Sequence, residues 1–194
     1  TWKNLVSGKS GVARISAFDA QGFQTTIAAE VDGFDAEPYV GRKEARRMDR
    51  FVQMAAVATI EATQQACLTI TPQNRERVSV IISSGIGGLI TLSKQMEVLH
   101  TKGPTRISPF LVPMMLPDMA SGQVSMLLGA KGPNYSPVSA CSSGADALGL
   151  AFEAIRRGDS DVVLAGGAEA AICPIGISGF NACQALSTRN DEPQ

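Results

Sequence analysis

The sequence predicts an α/β protein with a mostly parallel central sheet. Two apolar runs, residues 78–82 and 161–167, have the continuous hydrophobic character of strands that are buried on both faces. Longer helical patterns separate such runs, and strands that alternate with helices favour parallel pairing. The 194-residue chain is 44% hydrophobic and 18% charged, a composition and length that suffice for a large buried core.

The chain before the first central strand contains one strong helical pattern. Asp49 can cap it, and we expect the helix to be buried because it is apolar on most sides. Ser7-Gly8 is a fair signal for the end of a preceding short helix. The predicted elements are a helix over 1–6, irregular chain over 9–22, an edge strand over 23–31, a loop over 33–40 and a helix over 50–68.

Beyond the first central strand, glycine and proline mark most boundaries. Gly129 ends one helix, and His100, the only histidine, lies near the end of another, where we expect a capping or surface role. The predicted elements are a helix over 89–101, a proline-rich loop over 103–117, a helix over 118–128, a strand over 134–138, a helix over 145–157, a strand over 161–167, and a loop with a short helix over 169–183.

A glycine-rich turn, Ser84-Gly85-Ile86-Gly87-Gly88, follows the strand at 78–82. Such a turn could cradle a phosphate, but the Lys and Ser or Thr of a nucleotide-binding loop do not follow it. We therefore expect these glycines to serve close packing or a subunit contact.

Cys141 is the candidate nucleophile. It lies between the predicted strand at 134–138 and the predicted helix at 145–157. Ser142 and Ser143 are good N-cap types, and the partial positive charge of a helix N-terminus favours a thiolate. Neighbouring backbone N–H groups could also hold an oxyanion.

The other three cysteines, Cys67, Cys173 and Cys183, carry no such context, and we expect them to be small buried apolar residues. None of the four belongs to a C-x-x-C pair, which argues against a disulfide scaffold and a zinc site. The pattern predicts a reduced, cytoplasmic protein.

Overall charge and hydrophobicity exclude some partners. The net charge of −1 argues against binding to nucleic acid or to a membrane through overall charge. No apolar run approaches the roughly 18 residues of a transmembrane helix.

The motif Ser139-Ala140-Cys141-Ser142-Ser143-Gly144 resembles the nucleophile motif of the β-ketoacyl-acyl-carrier-protein synthases, of the thiolase-like superfamily. The likeness is greatest to the elongating type II enzymes of bacterial fatty-acid synthesis, and it covers essentially the whole chain. Further similar blocks occur in the family's order: Ser84-Gly85-Ile86-Gly87-Gly88, Arg106-Ile107-Ser108-Pro109-Phe110, Ala165-Gly166-Gly167-Ala168-Glu169 and Ala185-Leu186-Ser187-Thr188-Arg189-Asn190.

The resemblance implies a layered thiolase fold. The chain would be most of the first of two duplicated halves, a single N-terminal half over 1–194 that lacks the family's first strand and its second half. On this basis we expect an internal fragment that does not catalyse condensation alone. The family's two histidines and its lysine belong to the second half.

The resemblance also implies the reaction, in which Cys141 carries an acyl group during decarboxylative condensation with malonyl-carrier. No metal or cofactor is expected, because the substrates are held on the phosphopantetheine of an acyl carrier protein. The full-length enzyme is expected to be a homodimer. Leu92 and Phe110 are expected at the acyl pocket, although residues 110–116 could instead pack at a dimer interface.

A basic stretch could dock the acidic carrier protein or could simply be a solvated helical face. The docking candidates are Arg42, Lys43, Arg46, Arg47, Arg106 and Arg189.

Two alternatives stay open. A non-catalytic partner resembling a chain-length factor shares the fold, but such subunits replace the nucleophilic cysteine. A thiolase acting on coenzyme A esters, or a polyketide-type ketosynthase, shares both the fold and a cysteine nucleophile. The blocks around Arg106 and Arg189 favour the fatty-acid synthase.

Overall fold

A computed structural model describes residues 2–192. Its helices are α1 (Trp2–Val6), α2 (Glu37–Val40), α3 (Arg42–Ala45), α4 (Arg50–Gln65), α5 (Leu89–Lys102), α6 (Leu111–Met115), α7 (Met119–Leu128), α8 (Ser143–Arg156) and α9 (Pro174–Ala182). Its strands are β1 (Val12–Arg14), β2 (Ile27–Ala29), β3 (Val78–Ser83) and β4 (Val162–Gly167). Short 3₁₀ turns cover Arg75–Arg77, Pro104–Arg106 and Ala140–Ser142.

The chain divides into two compact units. One consists of residues 35–170, and the other combines 1–34 with 171–194. The larger unit contains β3, β4 and helices α2 to α8, and the smaller unit contains α1, β1, β2 and α9.

The larger unit is built on parallel pairing of β3 with β4, as the sequence predicts. Val78 pairs with Val162 at one end and Ser83 with Gly167 at the other. All six residues of β3 are buried, whereas β4 is mostly half-buried around Leu164. The continuous apolar run therefore identifies the central strand correctly, but β4 is less covered than predicted.

The strand predicted over 134–138 is wrong. Asn134 forms one isolated parallel bridge with Val80, and the chain then runs as a loop. Pro133 precedes this stretch and Pro137 lies within it, and proline has no N–H to donate to a strand ladder.

The main core lies where α4 and α7 meet β3. Asp49 caps α4 as predicted, since its Oδ1 accepts from the Phe51 N–H at 3.3 Å. Its Oδ2 accepts from the N–H and the hydroxyl of Thr91, at 2.9 and 2.6 Å, and so ties the start of α4 to α5. The core residues of this cluster are Met48, Phe51, Val52, Ala55, Ala56, Val78, Val80, Ile82, Ala120, Val124, Ala130, Leu164 and Ala170.

The helix predicted over 50–68 ends at Gln65 and is less buried than expected. Ala58, Glu61 and Gln64 are exposed along one side, so α4 has one buried face rather than apolar contacts all round.

Helix α8 packs on both central strands through small side chains. Ala147, Ala151 and Ala154, spaced three and four residues apart, are buried. On the opposite face Phe152 is 65% exposed and Leu148 is 57% exposed. The small residues let the helix lie close to the sheet, which fixes the position of its N-terminus.

The proline-rich segment predicted as a loop over 103–117 contains regular structure. Pro104–Arg106 forms a 3₁₀ turn, and Leu111–Met115 forms α6. Pro113 lies in the first turn of α6, where the missing N–H has no intrahelical partner to lose.

The backbone of α6 lies directly against the glycine-rich turn. A Cβ atom on Gly88 would lie 2.1 Å from the Met114 carbonyl oxygen, and one on Gly87 would lie 2.6 Å from that of Met115. The Gly88 N–H donates to the Met115 carbonyl at 3.0 Å. The expectation of close packing at these glycines is confirmed.

Arg77 joins the starts of β3 and β4. Its guanidinium donates to the carbonyl oxygens of Gly158 and Asp159 and, at 2.7 Å, to the carboxylate of Asp161. The hydrogen bond lowers the pKa of Asp161 and raises that of Arg77. A carboxyl group whose pKa is lowered by folding stabilises above its unfolded value of about 3.9, and this contribution is lost as the pH falls.

In the smaller unit, β1 and β2 form an antiparallel pair in which Val12 faces Ala29. The sequence predicts irregular chain where β1 lies, and β2 is shorter than the strand predicted over 23–31. Thr25, which is 2% exposed, donates to Asn181 of α9 at 2.8 Å. Asn190 accepts from the Thr26 N–H at 2.8 Å, so side-chain hydrogen bonds hold this unit together.

Within residues 2–192 no helix is long and apolar enough to cross a membrane.

The contact between Gly88 and α6 predicts a pair of opposite stability effects. Gly88→Ala should lower the free energy of unfolding by about 2 kcal/mol, because the added methyl group collides with a backbone oxygen. Gly149→Ala should raise it by about 0.5–1 kcal/mol, because this position of α8 has open space and alanine favours a helix. Urea unfolding of the two variants measures both, and equal stability of Gly88→Ala and wild type would contradict the contact.

Candidate active site

Cys141 lies in the 3₁₀ turn that leads directly into α8, and it is exposed. Helix α8 begins at Ser143, two residues earlier than predicted. The sulfur therefore lies at the amino end of a 14-residue helix, as the sequence predicts.

The residue before Cys141 is strained. Ala140 has φ +53°, in the left-handed region that side chains disfavour by about 1–2 kcal/mol. Ser143 holds this turn from inside, being 3% exposed. Its hydroxyl accepts from the Ser139 N–H at 2.9 Å and donates to the Ala140 carbonyl at 2.7 Å.

A second set of hydrogen bonds holds the turn on its outer side. Ser142 occupies the N-cap position, but its hydroxyl donates to the Ser139 carbonyl at 2.9 Å instead of capping the helix. The Ser139 hydroxyl donates in turn to the carboxylate of Asp146. Ser142 and Ser143, the expected N-cap types, are thus present at the helix start. Their hydroxyls, however, bond to carbonyl groups of the turn and do not cap the helix.

Some backbone N–H groups of the turn already donate a hydrogen bond within the protein, and one does not. The N–H of Ser142 donates to the Ser139 carbonyl at 3.2 Å, and that of Ser143 donates to Ala140. The N–H of Cys141 has no acceptor among the described residues. It can therefore donate to an oxyanion that forms beside the sulfur.

Glycines let three backbone segments meet at this turn. A Cβ atom on Gly167, at the end of β4, would lie 2.9 Å from the Gly144 Cα in the first turn of α8. A Cβ atom on Gly85 would lie 3.0 Å from the Ala140 carbonyl oxygen. The ends of both central strands therefore support the cysteine turn through backbone contacts.

The glycine-rich turn binds an anion that the chain itself supplies. Oε2 of Glu169 accepts from the N–H groups of Gly85 and Ile86, at 2.9 and 3.1 Å. Oε1 accepts from the Ser84 hydroxyl at 3.0 Å. The sequence showed Glu169 only as part of a similar block. The sequence pattern that could have identified this role is an acidic residue just after one strand, combined with a glycine-rich turn just after the neighbouring parallel strand.

The two predicted pocket residues are partly exposed. Leu92 lies in α5 and is 39% exposed, and Phe110 lies just before α6 and is 36% exposed. Helices α5 and α6 pack together. The segment over 110–116 is apolar and partly uncovered.

The structure brings one docking candidate into contact with one pocket candidate. The Arg47 guanidinium carbon lies 4.8 Å from the centre of the Phe110 ring, a cation–π arrangement. Arg47 also pairs with Glu44 at 3.5 Å. Arg106 is exposed in the 3₁₀ turn four residues before Phe110.

The other basic candidates lie on α3, directly after it, or in the smaller unit. Arg42, Lys43 and Arg46 are exposed on or directly after α3. Arg189 belongs to the smaller unit and pairs with Glu192.

Two of the three other cysteines differ from the prediction. Cys173 is buried as expected, but Cys67 and Cys183 are exposed. Cys67 lies beyond the end of α4 with φ +51°, because the helix stops before reaching it. His100 is exposed near the end of α5, as predicted.

Comparison with known proteins gives a consistent result. A family model described as the N-terminal domain of β-ketoacyl synthase matches residues 1–194. A 3-oxoacyl-[acyl-carrier-protein] synthase 2 of Staphylococcus aureus is 47% identical over 191 residues, which are 98% of this chain and 47% of that protein. The chain thus spans about half the length of the curated relatives it matches.

Solved structures share the fold. The crystal structure of a β-ketoacyl synthase from Burkholderia phymatum STM815 has a TM-score of 0.85 and 28% identity, over 100% of this chain and 48% of that one. A type II polyketide synthase ketosynthase bound to its acyl-carrier protein has a TM-score of 0.76 and 23% identity, over 82% of this chain and 46% of that one. The second likeness concerns the fold alone.

The match of the family model over the whole chain, together with the thiolase-like α/β fold that these neighbours share, shows that the chain belongs to the β-ketoacyl synthase family.

Proposed function

We propose that the protein containing this chain is a 3-oxoacyl-[acyl-carrier-protein] synthase that elongates fatty acids, and that residues 1–194 are its N-terminal thiolase-like half. The observation that carries the proposal is the position of Cys141, exposed at the start of α8 beside a strained alanine. The similarity to curated synthases of this type supports the assignment of the substrate class.

The first half-reaction is acyl transfer. The Cys141 thiolate attacks the thioester carbonyl of an acyl group on the carrier's phosphopantetheine arm, and the carrier thiol leaves. Negative charge develops on the carbonyl oxygen during the attack. The Cys141 N–H and the N-terminus of α8 stabilise that charge.

The second half-reaction is condensation. Malonyl-carrier loses carbon dioxide, and the resulting carbanion attacks the acyl-cysteine carbonyl, which releases the Cys141 thiolate and a β-ketoacyl-carrier. The resemblance assigns the groups that stabilise the enolate, two histidines and a lysine, to the family's second half. No metal or cofactor takes part in this scheme, and these residues on their own should not complete the cycle.

The acyl chain is proposed to lie against Leu92, Phe110 and the adjoining segment. These side chains are apolar and partly exposed, and α5 and α6 carry them as neighbours. Burying a hydrocarbon chain against them releases apolar surface from water, which is worth about 25 cal/mol per Å².

The proposed carrier surface comprises Arg42, Lys43, Arg46, Arg47, Arg106 and Arg189. Acyl carrier protein is acidic, and four of these residues are grouped within six positions on and after α3. We further propose that the protein works as a cytoplasmic homodimer, and the free cysteines support the reducing compartment.

Cys141 should be the most reactive thiol of the folded protein. At near-neutral pH, iodoacetamide should label Cys141 about ten times faster than Cys67 and Cys183, which are also exposed, and buried Cys173 last. Mass mapping at short times measures the order, with urea-unfolded protein as the control in which the differences disappear. In the full-length enzyme, Cys141→Ala should abolish condensation. Faster labelling of Cys67 or Cys183 would refute the assignment.

Leu92→Phe should shorten the acyl chains that the enzyme accepts, because the larger ring fills space next to α6. The ratio of kcat/KM for long and short acyl carriers should fall about tenfold. Leu99→Phe makes the same enlargement two turns further along α5 and serves as the control. If Leu92→Phe, like the control, selects acyl chains as wild type does, Leu92 does not contact the acyl chain.

Charge reversal at the carrier surface should slow association. Arg106→Glu should reduce the association rate with acyl carrier protein by about tenfold at low salt, with a smaller change in dissociation. Arg47→Glu should slow association to the same extent and should also remove the contact with the Phe110 ring. Comparing the two variants therefore distinguishes the effect of the charge from the effect of the ring contact. Arg156→Glu on α8 is the control, and stopped-flow binding at several salt concentrations is the measurement. Association that is insensitive to salt would count against docking here.

A further inference from the structure

Glu169 occupies a position that the proposed chemistry does not yet use. It lies two residues beyond the end of β4, and its carboxylate receives three hydrogen bonds from the turn that follows β3. We propose that Glu169 is a positioning residue that orients the oxyanion-binding N–H of Cys141. This inference rests on the proposed function and adds a residue to its machinery.

The first step concerns the hydrogen bonds by which Glu169 holds the glycine-rich turn. Two of the donors are backbone N–H groups, those of Gly85 and Ile86, and the third is the Ser84 hydroxyl. Because the Ser84 oxygen accepts from the Gly87 N–H at 2.9 Å, its proton is free to point at Glu169. Hydrogen bonds to a charged acceptor are stronger than those between neutral groups, so three of them together hold the turn in place.

The second step leads from the turn to the strained alanine. A Cβ atom on Gly85 would lie 3.1 Å from Oε2 of Glu169 and 3.0 Å from the Ala140 carbonyl oxygen. The carboxylate and that carbonyl group therefore both lie close to Gly85 on the side where a side chain would be. The Ser143 hydroxyl holds the same carbonyl oxygen from another direction, at 2.7 Å.

The third step follows from the geometry of the peptide bond. The Ala140 carbonyl and the Cys141 N–H belong to one planar trans peptide, in which the two groups point in opposite directions. Fixing the direction of the carbonyl therefore fixes the direction of the N–H. Since Ala140 has a left-handed φ of +53°, this peptide would relax to another orientation if its contacts were loosened.

The inference predicts that Glu169 affects acyl transfer and leaves plain thiol reactivity alone. Acyl transfer passes through an oxyanion that the Cys141 N–H must meet, and loss of one such donor costs about 10²–10³ in rate. Alkylation by iodoacetamide forms no oxyanion. Displacement of the donor should therefore slow only the first reaction.

The experiment measures both reactions on Glu169→Ala in the full-length protein. Acylation of Cys141 by acyl carrier protein should fall at least about tenfold. The rate of Cys141 alkylation, and its dependence on pH, should stay within about twofold of wild type. Glu169→Gln keeps one acceptor oxygen but presents an NH₂ group to a donor, so its acylation rate should be intermediate.

Glu153→Ala provides the matched control. Glu153 is a glutamate of α8 that pairs with Arg156 at 2.6 Å and leaves the cysteine turn untouched. Its removal should change neither reaction. Protection of buried Cys173 from alkylation reports in every variant that the protein is folded, and Glu169→Gln carries the test if Glu169→Ala does not fold.

The outcomes separate the inference from the proposed function. If wild-type protein takes up no acyl group at Cys141, the proposed function itself fails. If wild type is acylated there and both Glu169 variants are acylated equally fast, Glu169 does not position the donor. A parallel loss of acylation and alkylation would also overturn the inference, because it would show general loosening of the turn instead of a misdirected N–H.

Discussion

The parallel pairing of β3 with β4 is the constraint on which the candidate site depends. Because Ser83 faces Gly167, both strands end at one edge of the sheet. The turn after β3, Glu169 after β4 and the start of α8 must therefore share a small volume. Glycine at positions 85 and 167 makes this possible, since a side chain at either would meet backbone atoms at about 3 Å.

The cysteine turn combines an accessible sulfur with a rigid support. The left-handed Ala140 costs about 1–2 kcal/mol, and the buried Ser143 offsets this with two hydrogen bonds of about 0.5–1.5 kcal/mol each. Alanines of α8 add burial against the strands. The strain therefore persists next to Cys141 while the side chain of Cys141 stays exposed.

Sequence reasoning succeeded where one local signal decides the structure. The unbroken apolar run identified β3, Asp49 identified the start of α4, and the run of small residues after Cys141 predicted correctly that this residue precedes a helix. It failed where distant residues decide. Strand β1 has three residues and exists through pairing with β2. The error near Asn134 has a local cause instead, because Pro133 and Pro137 limit strand pairing there. The contact between Arg47 and Phe110 joins positions 63 apart, which no local pattern can indicate.

The packing of α6 on the glycine-rich turn fixes the backbone of this segment independently of its side chains. Carbonyl oxygens of Met114 and Met115 make the closest approach to Gly88 and Gly87, so the contact is one between backbones. Substitutions between residues 110 and 116 can therefore change shape and polarity while the backbone keeps its course. During divergence of such enzymes, this stretch can acquire new side chains one at a time, whereas the two glycines opposite cannot acquire any.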